Sequence, residues 1–420
     1  HPLSRRQRQM CIRDRGINNH KKLDRMIDVI RGLKVPLIFF CEGGGGRPGD
    51  VDAGDQNIAG LNIPSFHDFA RLSGEVPLVG IGSGRLFAGN AALLGCCDVI
   101  IGTRDLNLGM GGPAMIEGGG LGVYKPEEVG PTSVQYPNGV IDILVDNEDD
   151  AIVIAKKYLS YFQGNLGSWE APEVENLRYV IPENRLEVYD IREVIDNIAD
   201  IGSVLEIKAG FAKGMFTGFI RVKGKPLGLI ANNPLFLAGA IDSDGADKAS
   251  RFIKLCENYN IPILSLCDTP GMMVGPEIEE TGLVRHCCRL FLAGANVTVP
   301  MMTIVLRKAY GLGAQAMAGG SFMAPQFVVG WPTAEIGAMG LEGAVKLGYR
   351  KELEAESDVE KKEKLFKKLV DDLYEKGKAI NAASLLEFDT VLDPIESRDW
   401  ISMVVESPIN TSVKVSKNRY

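Results

Sequence analysis

The sequence contains few of the residues on which side-chain catalysis and metal binding usually depend. Among its 420 residues there are only four His, and its eight Cys include no Cys-x-x-Cys pair. It has no visible Ser-His-Asp or Cys-His arrangement and no Gly-x-x-x-x-Gly-Lys-Ser/Thr loop. The Gly-rich stretches also lack the strand, turn and acidic residue that complete a dinucleotide site. Every apolar run is interrupted before the roughly 18 residues of a membrane-spanning helix. We therefore predict no metal site, no nucleotide site of these types and no membrane span.

Composition and charge indicate a globular protein of two domains that does not bind nucleic acid. The length of 420 residues predicts two domains. The net charge of −8 argues against nucleic-acid binding, and the charged helical segment 350–378 is typical of a solvated face. The Cys residues lie in apolar patterns, as small buried side chains do in a reducing compartment, so we expect a cytoplasmic protein.

Gly is abundant, with 49 residues, and its clusters follow apolar strands in two similar copies. In each copy a strand that opens on Pro leads to an acidic residue and a Gly-rich turn. A second Pro-opened strand, a Gly/Ala run, a third apolar strand and an apolar-Gly pair follow. Two copies of one βα unit predict two related folds. The copies are residues 34–42 with 76–112 and residues 260–268 with 299–340.

The Gly/Ala runs point to chemistry carried by the backbone. A Gly/Ala-rich turn at a helix N-terminus presents unpaired N–H groups to a small oxygen anion. Such donors suit an enolate, which develops charge on a thioester oxygen. Ala88-Gly89 and Leu312-Gly313 occupy this position in the two copies. Small residues could also serve only to let helix and strand pack, but their recurrence in both copies favours a function.

Longer stretches of the sequence resemble a known family. Both halves look like the crotonase fold, and the whole resembles the carboxyltransferase β subunit of biotin-dependent acyl-CoA carboxylases, such as propionyl-, acetyl- and methylcrotonyl-CoA carboxylases. The resemblance covers roughly residues 16–405 and is most specific in the second half. The stretches that carry it are 188–207, 210–234, 245–275, 307–317 and 331–345.

The resemblance implies an α/β fold with two tandem crotonase-like domains, each a ββα superhelix, that arose by internal duplication. We expect a first domain at 16–165, truncated at its start, and a second at 190–405. An interdomain linker at 166–189 and a tail at 406–420 complete this division. Residues 1–15 are treated as a non-native segment, because MCIRDR resembles the translation of a sequencing adapter.

The resemblance also implies the site residues. The amides of Ala88 and Gly89 would hold the thioester carbonyl of acyl-CoA, and those of Leu312 and Gly313 the ureido oxygen of biotin. Gln315 would line the acyl pocket. The remaining substrate-binding candidates are Gly45, Arg47, Arg85, Gly111 and Gly112 for CoA, and Gly311, Thr269, Pro270 and Gly271 for biotin.

The implied reaction needs no side-chain base and no metal in this chain. Carboxybiotin, carried in trans on a carrier protein or domain, releases CO₂, and the ureido nitrogen takes the α-proton of acyl-CoA. The enolate then attacks CO₂. The protein supplies orientation and two polarising sites.

Three other functions remain open at this point. The same chemistry could run in reverse, in a biotin-dependent acyl-CoA decarboxylase. An enoyl-CoA hydratase or isomerase is disfavoured, because the positions where hydratases carry Glu are Ala92 and Gly112, and Ala316 in the second copy. A non-catalytic CoA-binding subunit is the third.

The resemblance implies partners as well. We expect biotin carboxylase and biotin carboxyl carrier subunits or domains, and a homo-oligomer built from dimers, up to a hexamer. Neither a nucleic acid nor a membrane is expected as a partner. The sequence leaves open which acyl group is carboxylated and whether the parent protein is a separate subunit or a fused chain.

Overall fold

The chain folds as a mixed α/β protein with two compact units. The computed structural model describes residues 16–45 and 61–407. Within these residues the first unit runs to Gln163 and takes in Ile207–Phe211, and the second comprises Gly164–Glu206 and the residues from Ala212 onward. No helix in this described part is long and apolar enough to cross a membrane.

The first unit is built on a parallel sheet. Its elements are α1 (Ile17–Leu33), β1 (Leu37–Gly43), α2 (Ser65–Arg71), β2 (Leu78–Phe87), α3 (Gly89–Gly95), β3 (Val99–Thr103), β4 (Asn107–Gly109), α4 (Pro113–Gly118), α5 (Thr132–Gln135), β5 (Ile143–Val145) and α6 (Glu148–Ser160). The strand order is β1-β2-β3-β5, and the short β4 pairs with the end of β2. Helices follow the strands, as parallel connections require.

Glycines in β2 let α3 pack closely on this sheet. A Cβ atom at Gly80 would lie 2.5 Å from Leu94 Cδ1, and one at Gly82 would lie 3.1 Å from Leu106 Cδ2. Leu94 and Leu106 belong to a buried apolar cluster on the sheet. These glycines of the strand therefore have a packing function.

The second unit is built on a larger mixed sheet. Its elements are α7 (Ile191–Ile198), β6 (Leu205–Glu206), β7 (Met215–Val222), β8 (Lys225–Asn232), α8 (Ser243–Asn258), β9 (Ile263–Thr269), α9 (Pro276–Glu279), α10 (Leu283–Ala295), β10 (Met301–Tyr310), α11 (Gly311–Met317), β11 (Phe327–Gly330), β12 (Glu335–Gly337), α12 (Leu341–Gly348), α13 (Arg350–Ala355), α14 (Val359–Gly377), α15 (Ala379–Ser384), β13 (Thr390–Val391) and α16 (Ser397–Glu406). The strand order is β13-β11-β10-β9-β8-β7-β6, and β12 pairs with the end of β10.

The core of the second unit lies on this sheet. β6, β7 and β8 pair antiparallel, and the strands from β8 to β13 pair parallel. Trp331 is fully buried after β11, and its indole N–H donates to Ser397 Oγ at 3.0 Å. The buried Asp200 pairs with Arg398 at 2.6 Å and so ties the chain after α7 to α16.

The segment 166–189 is not a separate linker but part of the second unit. Its composition of Pro, Asn and Glu led to the linker prediction, yet Leu177, Ile181 and Tyr189 are buried in the core of that unit. A few apolar side chains at suitable spacing are enough to fold an otherwise polar segment onto a sheet. In the described chain the first unit ends instead at Gln163, and the short segment Ile207–Phe211 belongs to the first unit again.

Candidate active site

β2 carries a bulge just before its end. The pairing register between β1 and β2 shifts between Cys41 and Gly43, so that Glu42 alone lies opposite residues 83–85. The last three residues of β2 then also pair with β4, beginning with Arg85 opposite Asn107. The bulge and the added strand fix where β2 ends and α3 begins.

β10 carries a bulge at the corresponding place. Its register with β9 shifts between Val305 and Ala309, so that Asp268 alone lies opposite residues 306–308. The last three residues of β10 also pair with β12, beginning with Lys308 opposite Glu335. In both units, therefore, the strand ends with a bulge followed by pairing to a short added strand.

In both units the strand then passes through one left-handed residue into a short helix. Ala88 has φ +54° and ψ −126°, and α3 begins at the next residue. Gly311 has φ +55° at the start of α11. A left-handed conformation costs a residue with a Cβ about 1–2 kcal/mol, whereas Gly adopts it freely. By position along the strand and by the positive φ, Ala88 thus corresponds to Gly311.

This correspondence corrects the predicted donor pair of the first unit. The amide of Ala88 donates to Gly109 O at 3.1 Å and so continues the pairing of β2 with β4. It does not point at a substrate. The position that corresponds to Leu312 is Gly89, the first residue of α3, whose amide has no acceptor within its own helix. Of the two predicted donors, Gly89 therefore remains a candidate and Ala88 does not.

Other residues predicted for CoA binding lie around this helix start. A Cβ at Gly45 would lie 2.8 Å from Ala88 Cβ, and one at Gly112 would lie 3.3 Å from the Phe87 ring. Gly45 and the 111–112 segment therefore border the end of β2. Arg85 pairs with Glu127 at the surface, and Arg47 lies outside the described residues.

The residues predicted for biotin come together in the second unit. A Cβ at Gly313 would lie 2.7 Å from the backbone of Gly271, so the start of α11 packs directly on the turn after β9. Thr269 Oγ1 and the backbone of Gly271 exchange hydrogen bonds at 3.2 Å, which closes that turn around Pro270. The side chain of Leu312 is 62% exposed, so its amide is not covered by its own side chain. Gln315 is also exposed, on the next turn of the helix.

A group of buried polar side chains supports this site, and sequence reasoning missed it. Asp268, Arg307 and Glu335 are almost inaccessible. Tyr310, which precedes α11, donates its OH to Glu335 Oε1 at 2.7 Å. The sign of this group in the sequence was an acidic or basic residue at the end of an otherwise apolar strand. Its partners are far apart in the sequence, so the pattern alone did not show them.

Burial raises the pKa of Glu335, although the hydrogen bond from Tyr310 and the charge of Arg185 oppose this. Because the folded pKa is raised, the stabilisation from protonated Glu335 is complete below the unfolded pKa and is lost as pH rises through the folded value. We expect Glu335→Gln, which mimics the protonated form, to raise the free energy of unfolding relative to wild type at pH 8. This difference in the free energy of unfolding should be smaller at pH 4.5, where Glu335 of the wild type is itself more protonated.

Urea unfolding at the two pH values measures this difference. Glu342→Gln is the control, because Glu342 also pairs with Arg185 but is half exposed. A difference between Glu335→Gln and wild type that does not change with pH would contradict the expected raised pKa.

The described His and Cys residues form no site with the residues above. His67 is exposed beside Asp68, and His286 lies 2.7 Å from Asp247. Among the described residues no group of three or more His, Cys, Asp or Glu could hold a metal ion. Burial raises the pKa of the thiols of Cys97, Cys256 and Cys267, which keeps them protonated.

Comparison with known proteins identifies the family. The carboxyl transferase domain model matches residues 14–419, and the chain belongs to this family. It is a carboxyltransferase of the biotin-dependent acyl-CoA carboxylases, and the resemblance seen in the sequence is confirmed.

Relatives and solved structures support this assignment. The chain is 34% identical to the methylmalonyl-CoA carboxyltransferase 12S subunit of Propionibacterium freudenreichii subsp. shermanii, over 89% of the chain and 71% of the relative. It is 31% identical to the propionyl-CoA carboxylase carboxyltransferase subunit of Haloferax mediterranei, over 90% of the chain and 74% of the relative.

Two solved structures share its fold. A single-chain, multi-domain long-chain acyl-CoA carboxylase matches with a TM-score of 0.87 and 53% identity over 93% of the chain. The chain spans only 38% of the length of that protein. A transcarboxylase 12S structure, described as a hexamer with methylmalonyl-coenzyme A and methylmalonic acid bound, matches with a TM-score of 0.84 and 30% identity. The match covers 96% of this chain and 78% of the other.

Proposed function

We propose that the chain transfers a carboxyl group from carboxybiotin to the α-carbon of an acyl-CoA, using backbone amides at the ends of β2 and β10. The observation that carries this proposal is the repeated strand end: a bulge, a left-handed residue and a helix start in each unit. Each helix start offers N–H groups that have no acceptor in their own helix. An acyl-CoA enolate and a biotin ureido group each present one oxygen to such donors.

In the first unit the amide of Gly89 holds the thioester oxygen. Losing the α-proton places negative charge on this oxygen, and a fixed N–H stabilises that charge more than it stabilises the neutral thioester. No described His or carboxylate is needed as a base, because the ureido nitrogen of biotin takes the proton. The C–H bond breaks, the enolate forms, and a new C–C bond to CO₂ follows.

In the second unit the amides of Leu312 and Gly313 hold the ureido oxygen. The turn 269–271 lies against Gly313, where a Cβ would be only 2.7 Å from the backbone of Gly271. A neutral ring suits donors that are backbone dipoles and not charged side chains. Carboxybiotin, when bound, supplies CO₂ to the enolate, and charge held on its ureido oxygen favours that release.

We further propose that the two units are crotonase-like copies of one duplicated ancestor. Supporting this, β2 and β10 each carry three residues opposite one acidic residue, and each pairs its last three residues with a short added strand. The left-handed residues Ala88 and Gly311 then fall in register. The antiparallel strands β6 and β7 distinguish the second sheet from the first.

A long-chain acyl-CoA is the acyl substrate that we propose. The chain shares 53% of its residues with the long-chain acyl-CoA carboxylase over 93% of its length, compared with 31–34% for the methylmalonyl- and propionyl-CoA relatives above. The segment after β4 also exposes apolar side chains beside Gly112: Met110, Met115, Leu121 and Val123 are 63–78% exposed. Such a surface can cover a hydrocarbon chain.

The partners that we propose follow from this reaction. A biotin carboxylase forms carboxybiotin, and a biotin carboxyl carrier subunit or domain delivers it in trans. The assembly that we propose is a homo-oligomer built from dimers, up to the hexamer of the transcarboxylase 12S neighbour. The reverse reaction, decarboxylation of a carboxyacyl-CoA, would use the same residues.

The direct test is carboxyl transfer by the purified protein. We expect transfer from carboxybiotin to palmitoyl-CoA to exceed transfer to propionyl-CoA in kcat/KM. Transfer to propionyl-CoA alone would reject the long-chain assignment but keep the reaction. No transfer to any acyl-CoA, and no decarboxylation of a carboxyacyl-CoA in the presence of biotin, would reject the proposed function.

A further inference from the structure

We propose that Asp268 is a positioning residue for the biotin-binding half of the site, a role that rests on the proposed function. Its carboxylate joins the bulge in β10 to the end of β9, where the two strands enter the site. Asp268 does not touch the substrate. It holds the two backbone segments that do, namely the turn 269–271 and the start of α11.

The bulge creates a gap that the Asp268 carboxylate fills. Three residues of β10 lie opposite Asp268, so the regular ladder cannot pair all their amides with β9. The Lys308 amide donates instead to Asp268 Oδ1 at 3.1 Å. A side chain of β9 thus replaces a backbone carbonyl of β9 as acceptor, and the register of the last residues of β10 depends on it.

Two further donors fix the same carboxylate. The guanidinium Nε of Arg307 and the phenol OH of Tyr189 both donate to Asp268 Oδ2, at 3.1 Å and 2.8 Å. Asp268 is 0% exposed and Arg307 2%, so this charged pair lies away from water, where hydrogen bonds to a charged group are strong. The Asp268 amide donates to Asn232 Oδ1 at 3.2 Å, which fixes the main chain as well.

Arg307 extends this support to a distant part of the sequence. Its Nη1 donates to Glu187 O at 2.6 Å, and its guanidinium lies 4.9 Å from the centre of the Tyr189 ring. The segment before α7 is thereby held against the ends of β9 and β10. This explains why a segment of polar composition is folded at this place.

The loop before α8 also closes over Asp268. A Cβ at Gly239 would lie 2.2 Å from Asp268 O, so only Gly fits there. The two residues before it, Leu237 and Ala238, have φ values of +50° and +52°. Consecutive left-handed residues with a Cβ are strained.

Asp268 lies one residue before the turn and Lys308 three residues before Gly311. A Cβ at Gly313 would lie 2.7 Å from Gly271, so the two segments are already at closest approach. A small shift between them would therefore misalign the amides of Leu312 and Gly313 that we propose as donors. In the first unit, Glu42, which lies opposite the corresponding bulge, has an exposed side chain, whereas Asp268 is buried.

The test is Asp268→Asn, which keeps the size of the side chain but removes its charge and turns an amide NH₂ toward one of its three donors. We expect kcat for carboxybiotin turnover to fall about 100-fold, as displacement of reacting groups by about 1 Å does. Binding of acyl-CoA should stay within about twofold of wild type, since the first unit is unchanged. Hydrogen exchange in peptides covering 305–314 should become faster.

Asp200→Asn is the matched control. Asp200 is equally buried in the same unit, accepts from the amides of Lys223 and Gly224 at 3.0 Å and 2.7 Å, and pairs with Arg398. The Asp200→Asn variant should be less stable than the wild type but should keep the wild-type kcat and the wild-type exchange rates in peptides covering 305–314. Both variants are measured at a temperature where circular dichroism shows them folded.

Three results would overturn the proposal: wild-type kcat in Asp268→Asn, an equal loss in Asp200→Asn, or unchanged exchange at 305–314. If Asp268→Asn does not fold, Tyr189→Phe removes one donor and leaves the carboxylate. It should lower kcat several-fold with unchanged acyl-CoA binding, and full kcat in this variant would also reject the role. Inactivity of the wild type toward carboxybiotin would instead reject the proposed function, while the exchange data would still test the positioning of 305–314.

Discussion

We expect Gly89→Pro to abolish carboxyl transfer to acyl-CoA. Pro removes the N–H that we propose holds the enolate oxygen, and losing one such donor typically costs ~10²–10³ in kcat. Pro is well tolerated at the first position of a helix, so α3 should still form. Distortion of the backbone contributes as well, because Pro disfavours the conformation of the preceding residue, Ala88. The expected result is a folded protein whose rate of transfer to acyl-CoA falls at least about 100-fold, measured with carboxybiotin as donor.

Gly89→Ala is the matched control, because Ala keeps the amide. Its Cβ would lie 3.1 Å from Phe66 Cζ, the end of a partly exposed side chain that can move aside. This variant should keep most of the activity. His67→Ala and His286→Ala should also change the rate far less than Gly89→Pro. A His variant that stayed folded but lost activity as fully would contradict a mechanism that uses only backbone donors.

The strand ends could be predicted from the sequence, but not the exact donors. Two Pro-opened strands and a Gly/Ala run located the start of α3 and α11 correctly. Ala88 was predicted as a donor, but in the structure its amide already donates to Gly109 O in the pairing of β2 with β4. Motif similarity locates a donor position to within about one residue along the chain. A shift of one residue decides whether the amide is already used in strand pairing or is available to a ligand.

The buried charges show a second limit of sequence reasoning. Asp268 was part of a recognised turn, but its partner Arg307 lies 39 residues away, and Arg307 in turn bonds Glu187, 120 residues away. Hydrophobic patterns predict which strands are buried and do not predict which charges are neutralised inside them. The composition of 166–189 likewise concealed that Tyr189 is needed beside Asp268.

We expect Leu312→Pro to impair the use of carboxybiotin while acyl-CoA affinity stays nearly unchanged. Leu312 is the second residue of α11, where a Pro costs no intrahelical hydrogen bond. Its side chain is 62% exposed, so the ring has room. What is lost is one of the two amides proposed to hold the ureido oxygen, with an expected loss of ~10²-fold in carboxybiotin decarboxylation.

Leu312→Ala is the control for this variant, since it removes the exposed side chain and keeps the amide. Acyl-CoA binding by calorimetry and decarboxylation of free carboxybiotin should be measured on both variants. If Leu312→Pro abolished acyl-CoA binding and spared carboxybiotin decarboxylation, the assignment of biotin to the second unit would be reversed.

The charges of the two ligands argue for the assignment of acyl-CoA to the first unit and biotin to the second. Acyl-CoA is polyanionic and suits the unit that carries Arg85, which a phosphate could take over from Glu127 at the surface. Biotin is neutral and suits a site made of backbone dipoles, in which the carboxylate of Asp268 is already satisfied by three donors.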